Sequence, residues 1–318
     1  MKRFIAIFKK VGGWDVLKQY ARAHVLLYAL AQTLLCGFSK KGLEIVRLAV
    51  NNRIYNKVRK KYRRFITEYT QNNPAQSFCQ KHNPIIWTIW LQGMDQAPKI
   101  VQQCYASMCK HITDRPIVVI TEDNFREYVT FPAYIMEKYQ KGMISKVHFA
   151  DLLRVELLTQ HGGTWLDGTV FCSDQPFQPY VLDSELFLFQ NLKPGLDGQC
   201  RRVSSWLMTA HANNPIMQLT RALLHEYWRT HNYAVDYFIL HNFIEMAIEA
   251  YPQVWEKVVP FSNSTPHILL LRLFDRFDSQ VWEGVRHHTS FHKLSYKFAP
   301  EQTLLPQTYY TEVLGQYE

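Results

Sequence analysis

The chain has 318 residues, 47% apolar and 14% aromatic, a composition that excludes a disordered protein. No window reaches the roughly 18 apolar residues that span a bilayer; the nearest, "VLLYALAQTLLCGF" at 25–38, contains Gln32. The net charge of +9 is unevenly placed: residues 1–80 carry 16 Lys or Arg against Asp15, Glu44 and Glu68, a net of +13, and the rest sums to −4.

The N-terminal segment reads as helix. Residues 14–35 space their apolar side chains helically, "GFSKKG" at 37–42 interrupts them, and 43–70 resumes the pattern with the basic run "KVRKKYRR" at 57–64. Two readings of this arm stand. It is either a solvated helical arm packed on the main domain or a basic amphipathic surface held on anionic membrane through residues 1–70. No aromatic-basic recognition motif accompanies the charge, so nucleic acid is not an expected partner. The start "MKRF" lacks the apolar stretch and small-residue cleavage site of a signal peptide. "QNNPAQSFCQKHNP" at 71–84 is the expected linker. This divides the chain into a basic helical arm, 1–80, and a main domain, 81–318.

The main domain alternates apolar strands with helices. "IIWTIWL" at 85–91 predicts a buried strand, "GMDQAP" a turn, 99–111 a helix and "PIVVIT" at 116–121 a second strand. Residues 145–161 predict a helix stopped by Gly162 and Gly163, and "TWLDGTVFC" predicts the next strand. Further strands are expected at 185–191 and 203–210, and helices at 214–231 and 236–250. The expected class is α/β with a mostly parallel sheet flanked by helices. The six cysteines, Cys36, Cys79, Cys104, Cys109, Cys172 and Cys200, form no CxxC pair and read as reduced thiols of a cytoplasmic protein.

Two places carry chemistry. Asp151 and Arg154 are three apart on one helix, hence on one face. They form either a structural ion pair or one wall of a polar cleft, where Arg offers a planar donor fork and Asp accepts from hydroxyls. Asp167-Gly168 ends a strand, where open α/β sheets bind ligands. It is either a turn or a carboxylate that holds a hard cation. His211 and Asn213 follow another strand, and either cap the next helix or line the cleft. Asp236 reads as a possible helix cap.

"ADLLRVELLTQHGGTWLDGTVF" at 150–171 resembles DXD-containing sugar-binding-region glycosyltransferases. It looks more closely like the bacterial capsular polysaccharide synthesis proteins. The likeness extends to "IIWTIWLQGMDQAPKIVQQCYASM" at 85–108, "SWLMTAHANNPIM" at 205–217, "DYFILH" at 236–241 and "FHKLSYK" at 291–297. Several spaced motifs in one order are more specific than any one alone.

The resemblance implies a GT-A glycosyltransferase of the Rossmann-like kind. It would move a sugar from a nucleotide-sugar donor to a glycan or lipid-linked acceptor, with retention, in surface polysaccharide assembly. Residues 87–93, with Trp87, Gln92 and Gly93, would line the nucleotide pocket, joined by Gly163. Asp151 and Arg154 would hold the donor sugar and diphosphate. Asp167 stands at the first acid of DXD, and Thr169 where the second would be. A divalent metal, Mn or Mg, would sit on Asp167 with His292 as a second ligand, or Lys293 would offset phosphate charge instead. Asp236 and His241 would lie near the sugar, Asp236 as a catalytic candidate. The work would be cytoplasmic, at the inner membrane face if peripheral. Two rivals remain: a non-catalytic glycan-binding or assembly protein with a degenerate site, and a metal-dependent nucleotidyl- or phosphotransferase.

Overall fold

Three helices lead into the sheet in the computed structural model, which describes residues 13–173, 177–192 and 201–317. They are α1 (Gly13–Arg22), α2 (Leu26–Cys36) and α3 (Lys40–Asn72). The expected break at 37–42 is shorter in the fold. Helix resumes at Lys40, capped by the Ser39 hydroxyl, which accepts from Gly42 N–H at 3.0 Å. A Cβ at Gly42 would lie 2.4 Å from the Cys36 carbonyl oxygen, so α2 and α3 meet in a tight hairpin.

On α3, Val46, Val50, Ile54, Tyr55, Val58 and Tyr62 are buried at helical spacing. They join the same core as Trp87, Leu153 and Phe243, and Tyr62 meets the Phe243 ring edge-on at 5.3 Å. The arm expected over 1–80 therefore shares its inner stripe with the main core. The expected linker is tied down as well, by a bridge between Lys81 and Ala212.

The main body runs β1 (Ile86–Ile89), α4 (Lys99–His111), β2 (Ile117–Ile120), α5 (Ala133–Gln140), α6 (Lys146–Gln160), β3 (Gly163–Asp167) and β4 (Val170–Cys172). It continues with β5 (Leu186–Gln190), β6 (Val203–Ala210), α7 (Pro215–Thr230), α8 (Ile239–Ala250), α9 (Ser279–His288) and β7 (Phe291–Lys293). The central sheet has the order β2-β1-β3-β6-β5. β1 is parallel to β2 and β3, while β6 is antiparallel to both β3 and β5. All strands but β6 thus point one way, and the expected mostly parallel α/β sheet is met.

Alternate residues serve alternate faces. Trp87, Trp165, Leu188 and Met208 enter one core, and Ile86, Leu166, Phe187 and Leu207 the other. Strands covered on both sides read as unbroken apolar runs, which is why they were visible in sequence. α6 packs between the sheet and α7, and its residues 151–159 are all buried.

The stretch "TWLDGTVFC" is not one strand. β3 ends at Asp167, and β4 leaves the central sheet to pair with β7 in a separate two-stranded sheet. Gly168 sits at the break, where a Cβ would come 3.1 Å from the Ile89 carbonyl oxygen. The helix expected from 236 begins only at Ile239.

Candidate active site

β1, β2 and β3 end at one edge, and Asp167 closes β3 opposite Ile89. Three side chains converge on its carboxylate. The Trp165 indole N–H donates to Oδ1 at 2.9 Å, since residues two apart on a strand share a face. Arg154 Nη2 lies 3.4 Å from Oδ1, and Lys293 Nζ lies 3.6 Å from Oδ2. Asp151, one turn before Arg154 on α6, stands 3.5 Å from the same Nη2 and 3.5 Å from His148 Nδ1. Asp167 and Lys293 remain partly open, at 26% and 19% side-chain exposure.

Arg154 is held on three sides. Nη1 donates to the Ser205 carbonyl at 2.5 Å and to its hydroxyl at 2.9 Å, and the guanidinium lies 4.9 Å from the Trp165 ring centroid. Its Nε is buried without a partner. So is Nδ1 of His241, whose ring is pushed down to a pKa of about 4, first by burial. Asp151 pulls that value up, and Arg154 and Arg201 push it down. Burial, then Asp151 and Asp167, raise the Tyr237 phenol.

Several expected residues lie elsewhere or serve the fold. Trp87 is buried, donates to the Gly162 carbonyl at 2.8 Å and packs on Tyr128 and His161, so it is not a base-stacking ring. Gly163 starts β3, at the end opposite Asp167. With φ of 101° and a Cβ position 2.4 Å from the Ile85 carbonyl oxygen, it permits close packing of the strand there. His211 meets His82 beside that end, and Asn214, not Asn213, caps α7. Asp236 is almost wholly buried and accepts from Arg201, Asn242, Gln19 and the Phe238 N–H, which leaves no idle oxygen for catalysis.

His292 and Lys293 alternate on β7, and only Lys293 faces Asp167. His292 bonds the Ser173 hydroxyl at 2.8 Å, packs on Phe171 and Trp282, and burial drives its pKa down to about 3. Gln92 and Gly93 do follow the carboxyl end of β1. The aromatic at that edge is Trp90, edge-on to Tyr296 at 5.7 Å and 3.6 Å from the Cβ position of Gly168. Ser205, Trp165 and Tyr237 also belong to the cluster, and their residue types alone do not mark them. For Trp165 the signal was its spacing of two from Asp167.

The sequence pattern of capsular polysaccharide synthesis proteins matches residues 38–313. The chain belongs to that family. The match begins inside the arm, two residues before α3. No curated protein matches the chain. Among solved structures, the chain titled "PaToxG Glycosyltransferase" aligns at 13% identity over 83% of this chain and 97% of its own, with a TM-score of 0.36.

This capsular polysaccharide synthesis protein offers a divalent cation little. Hard cations take several oxygen ligands. Among the described residues, no three His, Cys, Asp or Glu side chains are placed to hold a metal ion. Asp167 is one carboxylate already bracketed by two cationic side chains, Thr169 adds no charge, and His292 points away. Among the described residues, this set does not by itself make a resident divalent-metal site; it pairs two carboxylates, Asp151 and Asp167, with two cationic side chains, Arg154 and Lys293.

Proposed function

We propose that the protein is a glycosyltransferase that takes a sugar from a nucleotide-sugar donor and gives it to a glycan or lipid-linked acceptor in polysaccharide assembly. The observation that carries the reading is Arg154, Asp167 and Lys293 brought together at the carboxyl edge of the sheet in a chain of this family. In the reaction, the bond between the anomeric carbon and the diphosphate oxygen breaks, and a bond to the acceptor oxygen forms. The nucleoside diphosphate leaves with the electron pair, and its departing oxygen takes up the proton that the acceptor hydroxyl gives up. Arg154 and Lys293 are fixed donors for the charge that develops on the diphosphate. Asp167 orients both cations and accepts from a sugar hydroxyl. His241, neutral at pH 7, adds no charge to the cluster. Trp90 and Gln92 bound the nucleotide side.

We read the transfer as retaining. Each carboxylate of the cluster is already ion-paired, which leaves neither free to deprotonate an acceptor as an inverting enzyme requires. With such a donor the protein works in the cytoplasm, at the inner membrane face when the acceptor is lipid-linked.

A panel of nucleotide sugars, with and without added glycan acceptors, tests this. Release of nucleoside diphosphate, including slow hydrolysis of one donor without acceptor, is expected. Pyrophosphate release instead would make the protein a nucleotidyltransferase. Binding with no turnover of any donor would make it a glycan-binding protein.

A further inference from the structure

We propose that the Lys293 ammonium is the protein's permanent replacement for a divalent cation, so that the donor's diphosphate binds without metal; this rests on the glycosyltransferase reading. Lys293 Nζ donates to the Thr169 hydroxyl and to the Leu294 carbonyl at 3.3 Å, and faces Asp167 Oδ2 at 3.6 Å. The main chain locks the same pairing. Leu294 N–H donates to the Thr169 carbonyl at 2.9 Å, and Val170 pairs with Lys293 across β4 and β7. The ammonium is thus held in place before any ligand arrives.

Charge explains the pairing of these two residue types. A carboxylate with a divalent cation, and a threonine with an ammonium, carry the same single net positive charge. An acid at 169 would neutralise Lys293 and leave only Arg154 for phosphate. A divalent ion on Asp167 would meet both Lys293 and Arg154 at short range. Thr169 and Lys293 are therefore one unit: the hydroxyl and the Leu294 carbonyl accept two ammonium protons, and the third remains for a diphosphate oxygen.

Calorimetry with UDP, GDP, CDP and ADP tests this, each in EDTA and in Mn²⁺. Wild type should bind one of them with the same affinity in both. Lys293→Met should weaken that binding by at least about tenfold in EDTA, and Lys293→Arg should restore most of it. The double variant Thr169→Asp/Lys293→Met should bind only with Mn²⁺, having regained an acid and lost the ammonium. Melting curves check that each variant is folded; should Lys293→Met fail to fold, the wild-type comparison alone decides. Wild-type binding that EDTA abolishes and Mn²⁺ restores overturns the inference and leaves the glycosyltransferase reading intact. No binding of any diphosphate in either condition overturns both.

An independent observation concerns the helical hairpin. Leu27, Leu34 and Leu35 on α2 are 83%, 76% and 81% exposed, and Leu30, Ile45 and Leu48 are half or more exposed. So many exposed large apolar side chains on one hairpin mark an interaction surface. We infer that it lies in the interface of an anionic membrane. Lys40, Lys41, Arg47 and Arg53 stand exposed beside it, with Glu44 the one acid on this stretch of α3. A second copy of so basic a surface would repel the first, whereas acidic headgroups attract it. No described helix is long and apolar enough to cross a membrane, so the hairpin rests on the surface.

Vesicle flotation decides it. The full chain should float with vesicles of phosphatidylcholine and phosphatidylglycerol, release steeply with added salt, and ignore phosphatidylcholine alone. Leu27→Ser/Leu34→Ser/Leu35→Ser should lose flotation while keeping its nucleoside diphosphate affinity. Equal binding to both vesicle types, or wild-type flotation by the triple variant, overturns the inference. So does a dimer in light scattering that the triple variant abolishes, which would make the hairpin a contact between copies.

Discussion

Arg154 Nη2 lies 3.4 Å from Asp167 Oδ1, while the other end of the same guanidinium donates twice to Ser205 on β6. One side chain on α6 thus joins the end of β3 to its antiparallel neighbour. Arg154→Lys keeps the charge and loses the fork. Nucleoside diphosphate affinity should fall at least about tenfold, and turnover with it. Stability should drop by roughly 2 kcal/mol, because buried bonds to Ser205 go too. Calorimetry beside urea denaturation separates the two; unchanged affinity with lost stability would return the pair to a purely structural role.

Asp236→Asn should behave in the opposite way. The carboxylate is buried against Arg201, and removing its charge strands that guanidinium. A loss of about 3 kcal/mol in unfolding free energy is expected. Turnover per folded molecule should stay within about threefold of wild type. A catalytic loss with unchanged urea midpoint would restore Asp236 to the chemistry.

Gly163→Ala should be felt by the fold alone. The new Cβ meets the Ile85 carbonyl oxygen at 2.4 Å on a backbone with φ of 101°. The strain should cost on the order of 3 kcal/mol. Nucleotide affinity of the folded fraction should not change, as titration below the melting temperature would show.

Stability should fall with acid. Burial holds His241 and His292 down to about 4 and about 3, and pushes His231 and His267 down as well. Their pKa values are near 6.5 in the unfolded chain, which then binds the extra protons. Their contribution is full above about pH 6.5 and is lost as pH falls from there toward the folded values. Two such groups give a slope of roughly 2 kcal/mol per pH unit between about pH 6 and about pH 5. Glu245, raised by burial, runs the other way: its contribution is present in acid and fades as pH rises through its folded value. Urea midpoints across that range should show the loss, and His292→Gln should flatten it. A slope untouched by the variant would assign the effect to other groups.

The strands were legible because the sheet is covered on both faces, which makes "IIWTIWL" and "VSSWLMTA" unbroken apolar runs. The break at Gly168 was not, because both halves of "TWLDGTVFC" are equally apolar and only the partner strand tells them apart. The Asp151–Arg154 pairing followed from helical spacing, but its third member, Ser205, is 51 residues from Arg154. The role of Asp236 is hidden for a similar reason: its neutralising partner, Arg201, lies on another segment. On β7, alternation guaranteed that one of His292 and Lys293 faces the cleft; register alone decided which.

The two-stranded sheet also sets a timetable for biosynthesis. Thr169 and Lys293 are 124 residues apart, and β4 has no other strand partner than β7 among the described residues. Chains emerge N-terminus first, and contacts across long loops form late because closure entropy precedes their reward. Arg154 and Asp167 have therefore both been made before Lys293 leaves the ribosome. A nascent chain holds the acid and one cation without the other, and competence to grip an anion arrives in the last act of folding, when β7 docks.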